Sequence, residues 1–243
     1  MRGVLLAGGK GTRLGECTRV TNKHLLAVYD KPMIYYPLQT LQQAGIQDVL
    51  IVTGGEHIGK IAELLQDGKD FGVNLTYRVQ REAGGISQAL GLAERFAHGE
   101  PLAVILGDNY FEDDFREDAE GFQGGARIFL KKTAHPERYG VVQVNDDYPG
   151  RGFRIKKIVE KPQHFISPYA VTGFYLYREN VFDVIRTLKP SSRGELEITD
   201  VNNHFIQEDS MQHSLVKGYW GDMGEPDSLL ETAQHIAQKK RDS

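Results

Sequence analysis

The sequence predicts an α/β fold: a mixed central sheet flanked by helices. Two observations carry this. Short apolar runs alternate with amphipathic stretches through the first half, which is the pattern of parallel strands joined by crossover helices. The second half then changes to a series of strand-like segments.

Val4-Leu5-Leu6-Ala7 reads as a buried strand running into a glycine-rich loop. Residues 34–44 have helical spacing, with Gly45 as the C-terminal stop. Residues 48–53 form a second strand, and 57–65 a second helix closed by Asp67-Gly68. Residues 73–79 alternate as a strand, 86–96 form a third helix, and 102–106 another strand. Beyond these, 126–131, 140–144, 155–160 and 172–177 all read as strands, with a hairpin connection at 145–150. Helices are expected over 181–188, 198–207 and 228–239, the last with Ala233, Ile236 and Ala237 on one face.

A chain of 243 residues, 40% hydrophobic, can bury one substantial core but not two full-sized ones. With 29 basic against 33 acidic residues, no basic field spreads over it, so nucleic acid is not an expected partner. Val4 to Ala7 is too short for a secretory signal, and no segment reaches the roughly 20 apolar residues of a membrane span. Cys17, the single cysteine, sits in a polar loop without a neighbouring histidine and reads as incidental. These features make the cytoplasm the expected location. None of the eight histidines forms a pair with zinc-ligand spacing.

Gly8-Gly9-Lys10-Gly11-Thr12-Arg13-Leu14 follows the first strand directly. Consecutive glycines let backbone N–H groups approach a phosphate, and Lys10 and Arg13 add charge, Arg13 as a planar fork. The loop is not a P-loop: Gly9-Lys10 is followed by Gly11, and Val4 stands where the first glycine belongs. The dinucleotide fingerprint fails at Leu14, although Asp30 lies where a ribose-binding acid would. Taken alone, the loop fits a tight strand-to-helix turn equally well. Lys23 is a further cation ten residues beyond Arg13.

Asp108, in Leu106-Gly107-Asp108-Asn109, ends an apolar strand where open sheets bind ligands. Asp222 lies in a similar setting, in Trp220-Gly221-Asp222-Met223-Gly224. Two carboxylates with phosphate oxygens suit Mg²⁺, while either alone reads as a turn-capping acid. Glu112, Asp113, Asp114, Glu117 and Asp118 form a charge run expected to face solvent at a helix start.

With these residues assembled, the chain resembles the sugar-phosphate nucleotidyltransferases, and within them most closely the glucose-1-phosphate thymidylyltransferases. The resemblance covers nearly the whole chain. It rests on residues 6–14, on Asn22-Lys23-His24-Leu25-Leu26, on 29–38 and on Gly84-Gly85-Ile86-Ser87-Gln88-Ala89. Further along it rests on Leu106-Gly107-Asp108-Asn109, Val159-Glu160-Lys161-Pro162, Val171-Thr172-Gly173 and residues 193–200. It implies a Rossmann-like nucleotidyltransferase fold in one domain over 1–243. The nucleotide part would lie at about 1–120, the sugar part at about 121–225 and a C-terminal helix at about 228–239.

The resemblance also implies roles. Gly8, Gly11, Thr12, Arg13 and Lys23 hold the nucleoside triphosphate, and Gln80 and Gly85 the pyrimidine edge. Asp108 and Asp222 hold Mg²⁺. Gly140, Glu160, Val171 and Tyr175 line the sugar pocket, and Lys161 and Arg193 hold the sugar phosphate. Arg13, Lys23 and Lys161 act on the reacting phosphates. The implied substrates are dTTP and glucose 1-phosphate, the products dTDP-glucose and pyrophosphate, and the assembly a homo-oligomer.

Because Pro162 follows, the strand carrying Glu160 is expected to end there, so that Glu160 and Lys161 both reach the pocket. Tyr175 reads nearly as well as a packed sheet aromatic. Glu16, Ala27 and Met223 depart from the common pattern, but none removes a phosphate or metal ligand. The chain has the family's shorter form, which speaks against feedback control by an end-product sugar nucleotide. The rival readings are uridylyl or cytidylyl transfer, an NAD-type oxidoreductase, and a nucleotide-sugar sensor without catalysis.

Overall fold

The computed structural model describes residues 1–9, 11–145 and 153–242. Lys10 and, beyond Asn145, the expected hairpin turn at 145–150 lie outside them.

The first strand, β1 (Arg2–Ala7), is followed by a 3-10 helix at Thr12–Thr18, a 3-10 turn at Lys23–Leu25 and a short ribbon of β2 (Ala27–Val28) and β3 (Lys31–Pro32). Next come α1 (Tyr35–Gln43), β4 (Asp48–Gly54), α2 (Ile58–Leu65), β5 (Asn74–Gln80), α3 (Ile86–Gly91), α4 (Glu94–Ala97), β6 (Leu102–Leu106), β7 (Asn109–Phe111) and α5 (Arg116–Glu120). The second half holds β8 (Ala126–Lys132), β9 (Gly140–Asn145), β10 (Arg154–Glu160), β11 (Tyr169–Tyr177), α6 (Val181–Thr187), α7 (Ile198–Gln207), β12 (Met211–Leu215), β13 (Trp220–Asp222) and α8 (Pro226–Asp242).

The main sheet runs β10-β9-β11-β6-β1-β4-β5, with β8 and β12 continuing from β11. The strands β6, β1, β4 and β5 are parallel, while β11 and β8 turn it into a mixed sheet. Alternation along the strands builds two cores. Val4, Leu6, Leu50 and Val52 face α3, α6 and α7 on one side; Leu5, Ala7, Val49 and Ile51 face α1 and α2 on the other. The expected α/β architecture with a mixed, helix-flanked sheet is the one observed. Among the described residues, no helix is long and apolar enough to cross a membrane.

Three expectations need correction. The helix over 86–96 divides into α3 and α4, because Gly91 weakens its interior and Leu92 and Ala93 donate to Ala89 and Leu90 as tight turns. The last helix starts earlier and ends later than 228–239, with Pro226 at its first position and Lys239, Lys240 and Arg241 in its last turn. Within the acidic run, only part faces solvent. Glu112 accepts hydrogen bonds from the Tyr219 N–H (2.9 Å) and pairs with His235 (2.9 Å) and Lys239 (3.0 Å). Asp113 accepts from the backbone N–H groups of Lys217 and Gly218 at 2.7 and 2.6 Å, and Asp118 takes Arg127 at 2.8 Å. Hydrogen bonds from His235, Tyr219 and Lys239 outweigh burial and hold the Glu112 carboxyl down at about 2. These acids pin the chain ahead of β13.

A cleft lined by carboxylates and cations

The parallel register places Leu6 beside Leu106, and the Gly107 N–H donates to the Leu6 carbonyl at 2.9 Å. The glycine loop after β1 and Asp108 after β6 therefore leave the sheet side by side. The loop enters 3-10 turns and no α-helix, unlike a dinucleotide fold. Asp30, the other element of that fingerprint, lies in the β2–β3 turn and pairs with Lys240 of α8. Gly11 is left-handed at φ +67°; Thr12 and Arg13 are exposed.

Asp222 reaches Asp108 through a three-residue ribbon. Strand β13 pairs with β7 antiparallel, with Asp222 opposite Asn109. A Cβ placed on Gly224 would lie 2.9 Å from an Asp222 oxygen, 3.1 Å from an Arg13 nitrogen and 3.5 Å from an Asp108 oxygen. Both carboxylates and the guanidinium thus converge on one point. Asn109 braces them: it donates to Asp108 at 3.0 Å and accepts from the Gly173 N–H at 3.0 Å and the Trp220 indole at 2.7 Å.

The ammonium of Lys23 and the carboxylate of Asp108 form a buried ion pair. Burial alone would push the Asp108 carboxyl up; the charge of Lys23, with hydrogen bonds from Lys23 and Asn109, holds it well below the usual range. Asp222 has the opposite balance. Burial and the charge of Asp108 push it up to about 6, against the pull of Arg13 and Lys23. Beside the pair, His24 is buried against Gly107 and bonded to Asn22. Burial, then the Lys23 charge, lowers it to about 3, so its ring is neutral at pH 7.

The residues expected to meet the pyrimidine edge cluster behind the loop. Gly54 pairs with Gln80 across β4 and β5, and Gln80 donates to the Gly85 carbonyl at 3.3 Å and to Gln88 at 2.8 Å. A Cβ on Gly8 would meet the Gln80 side-chain oxygen at 2.3 Å. Gly85 has φ +96°, and a Cβ there would lie 2.7 Å from the Leu196 carbonyl oxygen, so the backbone passes where no side chain fits.

On the other side lies a cavity of about 140 Å³, which Arg13, Asp222, Gly140, Glu160, Lys161, Val171 and Tyr175 all line. Strand β10 ends at Glu160, and Lys161 takes a left-handed φ of +42°. That kink turns two consecutive side chains into one cleft. Glu160 accepts from Thr199 at 2.6 Å and pairs with Arg193 at 3.5 Å. Arg193 is not part of the cavity wall; it is folded onto Glu197, at 2.8 Å, and reaches the cleft through Glu160. Tyr175 is both things at once: it is buried in β11, stacked on Tyr177 at 5.9 Å, and still forms part of the wall. Met223 points away, into a small cluster with Val28, Met33, Tyr36 and Ile236.

Sequence reasoning missed Asn109, Thr199, Trp220, Arg138 and Glu225 as parts of this site. Asn109 and Trp220 flank the chosen acids and Thr199 lies within the 193–200 motif, so these could have been added from their motifs; Arg138 and Glu225 carry no local signal. Among the described residues, no group of three or more His, Cys, Asp or Glu side chains is placed to hold a metal ion. A cation here would have two carboxylates and needs its remaining ligands from phosphate or water, which is the donor set of Mg²⁺. The raised Asp222 carboxyl fits this test: two anionic oxygens are held together with only part of their repulsion cancelled.

The sequence model for nucleotidyl transferases matches residues 2–239. A glucose-1-phosphate thymidylyltransferase of Neisseria meningitidis is 41% identical over 242 residues, a match that covers 97% of this chain and 82% of that protein. One from an Actinoplanes species is 43% identical over 241 residues, covering 97% and 78%. Among solved structures, a candidate glucose-1-phosphate thymidylyltransferase from Bacillus anthracis in complex with sucrose superposes with a TM-score of 0.90 at 46% identity, covering 97% of this chain and 94% of that one.

Proposed function

Because this chain belongs to the nucleotidyl transferase family, we propose that it is the enzyme that transfers a thymidylyl group from dTTP to glucose 1-phosphate, forming dTDP-glucose and pyrophosphate. The observation that carries the reaction is the meeting of Asp108, Asp222 and Arg13 at one point beside Lys23, with Lys161 and Glu160 in the same cleft. The relatives' activity supports the choice of base and sugar; uridylyl and cytidylyl transfer are not favoured.

Gly8, Gly11 and Thr12 present backbone to the triphosphate, Arg13 and Lys23 neutralise it, and Gln80 and Gly85 hold the pyrimidine edge. Gly140, Val171 and Tyr175 shape the sugar pocket, and Glu160 accepts from sugar hydroxyls. Lys161, with Arg193 behind Glu160, holds the sugar phosphate. Its oxygen attacks the α-phosphorus in line. The new P–O bond forms as the bond to the bridging α–β oxygen breaks, and that electron pair leaves with pyrophosphate. Positioning and charge neutralisation supply the rate.

Nucleotidyl transferases generally depend on a divalent cation. We assign Mg²⁺, held by Asp108 and Asp222. When bound it would neutralise phosphate charge as a Lewis acid. The reading includes a homo-oligomer working in the cytoplasm, with no nucleic acid or membrane partner.

The test is pyrophosphate release with Mg²⁺ and glucose 1-phosphate, comparing dTTP, UTP, CTP, ATP and GTP. Fastest release with dTTP is expected. Faster release with another triphosphate moves the base, and none with any calls for other sugar phosphates before the sensor reading returns.

A further inference from the structure

Arg138 is the last residue of the 3-10 turn Pro136–Arg138 before β9 and, like Arg13, lines the cleft. The two guanidiniums come from opposite halves of the chain. One carboxylate joins them: Arg13 donates to one oxygen of Glu225 at 3.0 Å, and Arg138 donates to the other at 2.5 Å. Glu225 follows Gly224 directly, so it projects from the segment that carries Asp222.

A carboxylate shared by two forks imitates the way a phosphate group is held. Each guanidinium has five N–H donors, and Glu225 engages one on each. Both arginines line the cleft. The arginine side chains are 52% and 33% exposed, and like charges this close would splay apart without the anion between them. Arg138 also belongs to the sugar side. The next residue, Tyr139, packs on Trp220 at 4.9 Å, and its carbonyl accepts from the Lys161 N–H at 3.0 Å.

We propose that Arg138 is a further ligand of the sugar phosphate, and that Glu225 is the positioning residue that holds Arg138 and Arg13 as a pair where the two substrates' phosphates meet. This rests on the transfer reaction proposed above. Glu225 has no bond to make or break; it fixes the spacing of the two cations before either substrate arrives.

Steady-state kinetics on wild type, Arg138→Gln, Glu225→Gln and the double variant test this, with melting temperatures measured alongside. Arg138→Gln should raise KM for glucose 1-phosphate about tenfold, the scale of one charge-assisted hydrogen bond, and change KM for dTTP and kcat less than about threefold. Glu225→Gln should raise both KM values by several-fold. The double variant should have a KM for glucose 1-phosphate no higher than Arg138→Gln alone, because the two residues act as one unit. An unchanged KM in Arg138→Gln, or a double effect equal to the product of the singles, overturns the proposal. If wild type turns over none of the substrates, the reaction assignment fails separately. Calorimetry with inorganic phosphate then decides the pair: tighter binding by wild type than by Arg138→Gln supports it, and equal binding refutes it.

Discussion

The backbone N–H of Met223 donates to the carbonyl of Asp108 at 2.8 Å. This bond extends the β7–β13 pairing by one step and fixes the two acid-bearing segments against each other, although 115 positions separate the two residues. The acids it brings together are not equivalent. Asp108 has Lys23 as a buried partner, whereas the charge of Asp222 is opposed by burial and by Asp108.

That asymmetry predicts opposite stability effects from similar substitutions. Asp108→Asn leaves the Lys23 ammonium buried without its anion and should destabilise the protein by about 3 kcal/mol. Asp222→Asn removes repulsion and should leave the melting temperature unchanged or higher when chelator is present. Both should lose at least about 100-fold in pyrophosphate release. Thermal melts beside activity assays separate the two effects, and equal melting temperatures would refute the asymmetry.

A proton competes for Asp222 when the pH falls below about 6. The Mg²⁺ concentration needed for half-maximal activity should therefore rise toward about tenfold per pH unit below that point, and stay level above it. Magnesium titrations at a series of pH values measure this. A flat requirement down to pH 5 would mean that Asp222 is ionised throughout.

His24 gives a second pH signature. Its folded-state value, about 3, lies below the ordinary 6.5. The unfolded chain therefore takes up a proton first as pH falls, and the folded state loses stability from about pH 6.5 downward. The stability advantage of wild type over His24→Asn should shrink between pH 6.5 and 5. An advantage that holds constant in urea melts across that range would show that His24 is protonated in the fold.

Gly85→Ala tests the close backbone approach behind the loop. The new methyl would meet the Leu196 carbonyl at 2.7 Å from a backbone at φ +96°. We expect a loss of roughly 2 kcal/mol or more, a fall of about 4–8 °C in melting temperature at this chain length. An unshifted melting curve would mean the Leu196 segment yields easily.

The sheet was largely legible because buried parallel strands announce themselves as apolar runs: 4–7, 48–53 and 102–106 fall within β1, β4 and β6. The elements that assemble the site were not. Strands β7 and β13 span three residues each, too few for any alternation to register. Strand β12, Met-Gln-His-Ser-Leu, is polar and lies half-exposed beside β8. The acidic run misled because charge density alone resembles a solvated face, whereas Glu112 and Asp113 find their partners about a hundred residues away. Arg138 and Glu225 were invisible for the same reason: an ion pair closed by tertiary structure leaves no period in the chain.

Met223 lies at the junction of β13 and the cluster that includes Ile236 of α8. Asp222 is thus seated partly by Ile236, which comes after every strand of the main sheet. In chain order, Lys23, Gln80, Asp108 and Lys161 all come before the Ile236 side chain that helps seat the second carboxylate. A chain emerging during synthesis therefore has most of its cleft residues before Asp222 can be brought to Asp108.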